Sequence, residues 1–339
     1  MNRNERYYQK VIGAISYTML LFLLLLNLFS VLLEGLSASL SIVSDPTAII
    51  VYQTVYAAGY LLAFMLPVLL LKRSIKRAGY LYQPMQTELR FSPWVFFMLP
   101  AAVTVIFSAA YFNSMMVSIF DYSSFSSDVL WGNTDQKPAV YAWILDFIVI
   151  CVVPGFCEEF LFRGAILTNC RPFGRSNAIL ISAFLFAMMH QNAEQLFYAF
   201  VAGIFLGLVY EKTGNILCCT VLHIFNNFIS TFEGMIFYKL DSVFTSSVTS
   251  TMFEVVLFAI GSVSLTFLVV HFFSQKEDFR DGVFGRELPA SDVYATHPIE
   301  PKRAFRLFFK APMVVFLVLS VAEVLLLILL AVGYSNVGA

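Results

Sequence analysis

The sequence predicts an all-α fold, a polytopic transmembrane helix bundle of about nine spans. Three observations carry this expectation. The 339-residue chain is 59% hydrophobic, with a mean hydropathy of +0.78. Only 13% of its residues are charged, about half the share usual in soluble domains. The apolar residues also fall in runs near the ~20 residues a helix needs to cross the hydrocarbon core. A soluble domain of this length has too much surface for so few charges. A soluble enzyme and a secreted disulfide scaffold are therefore excluded. The net charge of −1 provides no basic footprint for phosphates, so no nucleic-acid partner is expected. The five cysteines, Cys151, Cys157, Cys170, Cys218 and Cys219, lie in or beside apolar stretches without a C-x-x-C pair. They read as small buried residues.

The predicted spans are 11–33, 48–71, 93–112, 140–162, 178–191, 195–210, 215–237, 251–273 and 312–334. The first follows Arg3, Arg6 and Lys10 like a signal n-region, and Ser37-Ala-Ser39 is a weak cleavage cue. The run is too long for a cleaved signal and is read as an uncleaved helix. The loop 113–139 carries Asp121, Asp128 and Asp135 and reads as extracytoplasmic. The short fifth and sixth spans, joined by Gln191-Asn192-Ala193-Glu194-Gln195, predict a tight hairpin. Segment 274–311 reads as a cytoplasmic linker, whose end Arg303–Lys310 mixes basic and aromatic residues and would anchor the last helix at the inner leaflet. The chain is read as one integral membrane domain, 1–339, with a motif core at 140–237 and an additional C-terminal helix at 312–334.

Orientation follows from Lys and Arg. With the N-terminus in the cytoplasm, the inner segments hold 19 of them and the outer segments only Lys137 and Lys239. The expectation is a multi-pass protein of the cell membrane, with its C-terminus outside.

Ionisable groups within spans are expensive and mark function by default. Glu158 and Glu159 lie in the fourth span with Arg163 just after it, His190 ends the fifth, and His223 and Asn227 lie in the seventh. Glu159 and Arg163 are i,i+4 with the acid first, the favourable ion-pair order. Glu158 has no such partner and is left for chemistry. His223 and Asn227 share a helix face, with Asn226 turned to the other side. By helix rise, His223 lies roughly 12 Å and Asn227 roughly 18 Å from Asn215, and His190 lies roughly 18 Å from Ala178. Glu158 lies roughly 8 Å before Arg163. These groups can meet near mid-membrane, in a cavity expected to face the cytoplasm. A carboxylate in a low-dielectric cavity suits a general base. Imidazoles can orient water, and an Asn amide can donate to an oxyanion. The set suffices for amide hydrolysis by an activated water. Cys157 beside Glu158 suggests a Cys–His alternative, which its apolar setting disfavours. Asp146, Glu254 and Glu323 are assigned no catalytic role.

At these residues the sequence resembles the CPBP family of intramembrane proteases, which includes type II CAAX prenyl endopeptidases and bacteriocin-processing or self-immunity proteins. Glu158-Glu159-Phe-Leu-Phe-Arg163 is similar to the family's first motif, Phe186-Ala-Met-Met-His190 to its second, and His223-Ile-Phe-Asn-Asn227 to its last. The resemblance covers about 146–228. It implies an eight-helix core plus one helix, with a cavity open to the cytoplasm. It implies Glu158 as the base that activates water, helped by His190, with His223 and Asn227 positioning water and stabilising the oxyanion. Glu159, Arg163 and Phe186 would support them. No cofactor is favoured, although Glu158, His190 and His223 could supply a His₂Glu zinc site. The implied partner is a membrane-associated or lipid-modified peptide, CAAX-like or leader-type. The alternatives are a non-catalytic self-immunity or scaffold protein and a proton-coupled transporter. The latter usually carries inverted repeats, which are not visible here.

Overall fold

The computed structural model describes residues 3–39, 46–87, 140–191, 193–241 and 299–337, with parts of 97–108 and 252–270. Helices dominate the described residues, and no strand is named among them. They are α1 (Arg3–Ser39), α2 (Pro46–Arg77), α3 (140–170), α4 (Arg175–Met189), α5 (Ala193–Thr213), α6 (Ile216–Asp241), α7 (Pro301–Phe308) and α8 (Ala311–Val337). Each predicted span outside 93–112 and 251–273 coincides with one of these helices. Those two spans fall on partly described segments, and the loop 113–139, most of the linker and Glu254 lie outside the described residues. Among the described residues, by length and hydropathy, three helices can cross a membrane, or up to four if the bent α7–α8 pair is one span. The count of nine is therefore not reproduced by that criterion. Helix α4 spans only 15 residues, shorter than a full crossing requires.

Helix α3 is longer and less regular than the predicted span 140–162. It alternates α and π segments: Phe147–Val152 and Phe160–Leu167 are π-helical, on either side of the α turn Val153–Glu159. Pro154 cannot donate a backbone hydrogen bond. The preceding π segment takes up that mismatch, and Val153 N–H donates to Ile148 O. π-Bulges re-aim the side chains that follow them and are frequent at functional sites. Here Glu158 and Glu159 sit in the short α turn between two of them.

Close helix approach depends on glycines, Gly203 and Gly155 among them. A Cβ on Gly203 of α5 would lie 2.8 Å from Ala183 Cα on α4, and one on Gly155 of α3 would lie 2.7 Å from Ile224 Cγ1 on α6. Small residues at such crossings let membrane helices pack backbone to backbone.

One end of the bundle is closed by a strap, residues 80–87. Asn169 of α3 treats it as a neighbouring strand: its Oδ1 accepts from Gln83 N at 2.9 Å and its Nδ2 donates to Gln83 O at 3.2 Å. Gln86 N donates to the Tyr210 hydroxyl at 2.7 Å, and Asn215 Nδ2 donates to Thr87 O at 2.7 Å. Burial, with Tyr210 nearby, pushes the Tyr82 hydroxyl of this strap up to about 12, so it stays protonated. Tyr7 stacks on Tyr80 at 4.1 Å and ties α1 to the same end.

The end of the predicted linker is a helix, α7. Its Ala304, Leu307 and Phe308 are buried, while Lys302, Phe305 and Arg306 are exposed. Arg303 grips Glu5 of α1 through Nε at 3.1 Å and Nη2 at 3.4 Å. Helix α8 then turns by 72° and packs on α1 and α4. Gln191, at the end of α4 with φ of 51°, donates to Glu323 of α8. The additional helix is thus fastened to the core.

Candidate active site

Two layers of polar side chains meet where α2, α3, α4, α5 and α6 converge. The inner layer is a hub on Glu159 Oε1, while Glu159 Oε2 and Arg163 Nε have no hydrogen-bond partner among the described residues. The Arg163 guanidinium is fully buried, donates to Glu159 Oε1 at 2.7 Å and to Gly203 O at 3.1 Å, and lies 4.5 Å from the Phe186 ring centroid. The i,i+4 ion pair expected of Glu159 and Arg163 is therefore present. His223 Nδ1 donates to the same Glu159 oxygen at 2.8 Å. Phe186 also meets His190 and His223 edge-on, at 5.0 Å and 5.8 Å. An aromatic face over a desolvated guanidinium is stabilising, so Phe186 holds Arg163 and both imidazoles at once.

The outer layer lines a cavity of about 410 Å³ bordered by Glu158, His190, His223, Asn226, Asn227, Tyr60 and Tyr198. The four residues expected to carry chemistry are together there. Glu158 is buried, yet its two oxygens differ. Oε1 accepts from the Tyr60 hydroxyl. Oε2 lies 3.7 Å from His223 Nε2 and has no hydrogen-bond partner among the described residues. His190 Nδ1 donates to Phe186 O at 2.8 Å, so its Nε2 is the nitrogen left for an incoming group. Asn226 Nδ2 donates to the Tyr198 hydroxyl and, at 3.3 Å, to Asn227 Oδ1. With its oxygen engaged, Asn227 retains its amide hydrogens as donors.

One expectation needs correction: Asn226 is not turned away from the site, because the cavity is wide enough to touch both amides. Glu158 has no ion-pair partner one turn away, as its spacing implies, and its Oε1 is held by Tyr60 from a helix remote in sequence. The cavity's exposed lining residues are Gln195 and Ser230. Cys157 is fully buried and does not line the cavity. Asp146 accepts from Gln53 at 2.8 Å, and Glu323 is the partner of Gln191, so both have structural company.

Tyr60, Tyr198 and Asn226 were missed by the sequence reading. Tyrosines within apolar helices carry no distinctive spacing, and only their convergence on Glu158 and Asn227 marks them. Glu158, His190 and His223 fit zinc in the kind of donor they offer. Among the described residues, however, no three His, Cys, Asp or Glu side chains converge closely enough to hold a metal ion.

Neither a curated protein nor a solved structure matches the chain. Residues 140–229 match a family model, that of the Rce1-like type II CAAX prenyl endopeptidases. The match contains Glu158, Glu159, Arg163, Phe186, His190, His223 and Asn227 and excludes Tyr60. The stretch that builds most of the polar wall of the cavity thus carries the likeness to the Rce1-like type II CAAX prenyl endopeptidases, a protease family.

Proposed function

We propose that this membrane protein is an intramembrane endopeptidase that hydrolyses a peptide bond in a membrane-associated or lipid-modified chain. One observation carries the reading: Glu158, one of whose oxygens has no hydrogen-bond partner among the described residues, lines a single cavity with His190, His223 and Asn227. In this reading a water enters between Glu158 and His190. Glu158 Oε2 takes its proton as the oxygen attacks the scissile carbonyl, and the same carboxyl returns the proton to the leaving amine. His190 Nε2 orients the water. His223, doubly protonated so that Nε2 donates while Nδ1–H stays on Glu159, holds the oxyanion together with the Asn227 amide. Tyr60, by occupying Oε1, turns Oε2 toward the water. Water activation is assigned to Glu158, and the chelation arm of the test below checks whether a metal takes part. CAAX-like and leader-type peptides are the substrates to try, and no nucleic acid is involved.

The test is cleavage by purified protein in liposomes, with prenylated and leader-type peptides and cut positions read by mass spectrometry. Wild type is run beside Glu158→Gln, with and without a strong chelator. Cleavage that survives chelation and vanishes in Glu158→Gln supports the reading. Loss on chelation with recovery on zinc overturns the metal assignment. Cleavage untouched by Glu158→Gln sinks the mechanism. A protein that binds these peptides without cutting them is the scaffold of the alternative reading.

A further inference from the structure

Helix α8 lies outside the matched stretch 140–229, yet it reaches the end of the helix that carries His190. Its sequence contains a single charged side chain, Glu323. By helix rise Glu323 lies roughly 18 Å from Ala311, at a depth where a carboxylate is expensive and marks function by default. Met313, Phe316 and Ser320 are fully buried, and their spacing of three and four residues defines one face of α8. Glu323 continues that face. Docking of α8 on α1 and α4 therefore delivers the carboxylate to the end of α4, where Gln191 Nε2 donates to it.

Gln191 is where α4 stops. Its φ of 51° makes it the single non-glycine residue of positive φ among the described residues. That conformation suits glycine and is unfavourable for a residue with a Cβ, so its surroundings must hold it. The residue before it is His190. The last turn of α4 has no further turn to satisfy its carbonyls. Ala187 O accepts from His190 N at 3.2 Å, and Phe186 O accepts from His190 Nδ1 at 2.8 Å. The aim of the imidazole thus depends on a terminal turn, and terminal turns fray unless tied down. Gln191 and Glu323 do not line the cavity, so neither meets a substrate there.

We propose that Glu323 is a positioning residue: by holding Gln191 it keeps the last turn of α4 closed and His190 Nε2 turned into the cavity. The consequence for turnover rests on the proteolytic reading, but the consequence for His190 does not.

The test compares Glu323→Ala, Glu323→Gln, Gln191→Ala and the two alanine changes combined with wild type in detergent. Carbethoxylation of His190 and His223 by diethyl pyrocarbonate is timed by mass spectrometry, and cleavage is assayed with the prenylated and leader-type peptides. In Glu323→Ala, His190 is expected to react several-fold faster while His223 keeps its wild-type rate. The same variant should lower kcat roughly 10–100-fold with KM unchanged. Glu323→Gln retains an oxygen that accepts from Gln191 and should restore both values. Gln191→Ala should reproduce Glu323→Ala, and combining the two should add nothing, because they act through one contact. Gln191→Ala also carries the test if Glu323→Ala fails to fold. An unchanged His190 rate, acceleration of His190 and His223 together, a glutamine variant as impaired as the alanine one, or additive effects in the combined variant overturns the proposal. A change confined to His190 in a protein that cuts none of the peptides sinks the proteolytic reading and leaves this one standing. Cleavage by a protein whose His190 is indifferent to Glu323 does the opposite.

Discussion

Glu158 and Glu159 are consecutive in sequence and both buried, yet the regions around them are built on opposite principles. Around Glu159 a single oxygen collects Arg163 and His223, and Arg163 spends further donors on Gly203 O and the Phe186 face. A buried ion pair holds only when its charges are paired and hydrogen-bonded. Each carboxylate keeps one oxygen without a hydrogen-bond partner among the described residues, but Glu158 has its other oxygen on a neutral hydroxyl and lines the cavity, whereas Glu159 does not line it. The hub lowers the cost of polar groups in an apolar bundle. Bonding capacity at the cavity is what a substrate or a water uses. Phe186 and His223 belong to both regions and couple them.

The sharpest way to separate the regions is to disable each alone. Glu158→Gln keeps shape and the Tyr60 contact but removes the base, so cleavage is expected to fall by a factor on the order of 10⁴, with the melting temperature in detergent unchanged. A large drop in melting temperature would show that Glu158 belongs to the hub. Arg163→Met should do the reverse and cost about 3–5 kcal/mol of stability by stranding the buried Glu159 charge. Adding Glu159→Gln should recover part of that loss in thermal unfolding, since the pair goes together. Tyr60→Phe probes the border between the regions. It removes a hydrogen bond to a carboxylate, worth ~1.5–3 kcal/mol, while keeping the ring that stacks on Phe64. The expectation is kcat lower by roughly 10–100-fold with KM unchanged. A raised KM with normal kcat would make Tyr60 a substrate contact instead. Gly203→Ala tests the scaffold behind the hub. Its Cβ would meet Ala183 backbone at 2.8 Å, so overpacking should cost about 1–3 kcal/mol, read as a lower melting temperature. Smallest should be Asn169→Leu, which strips the strap of its side-chain ladder and costs about 1–2 kcal/mol. Its readout is faster proteolytic nicking within 80–87.

Part of the site was legible in the sequence because charge inside an apolar run has few explanations. Glu158, Glu159, Arg163, His190, His223 and Asn227 stand out by residue type against their surroundings, and helical spacing alone pairs Glu159 with Arg163. Tyr60 and Tyr198 do not stand out, because an aromatic in a membrane helix is ordinary and its hydroxyl is informative only when something lies within reach. Asn226 was misassigned because helical angle describes a side chain's direction, not the width of the cavity it meets. The π segments of α3 escaped for a related reason. Pro154 announces a missing donor, but whether the helix kinks, breaks or widens depends on what packs against it.

The sequence by itself determined that the chain is helical, apolar and basic at one end of its helices. It also determined which acids, imidazoles and amides are available, because hydropathy, charge and spacing are properties of each segment alone. Only the tertiary structure decided that Glu159 meets Arg163 and His223 outside the cavity lining while Glu158 lines the cavity. It also decided that Tyr60 from α2 joins residues of α3 and α6. Those outcomes depend on which helix faces approach one another, and that is set by glycine-permitted crossings and long-range hydrogen bonds between residues far apart in the chain.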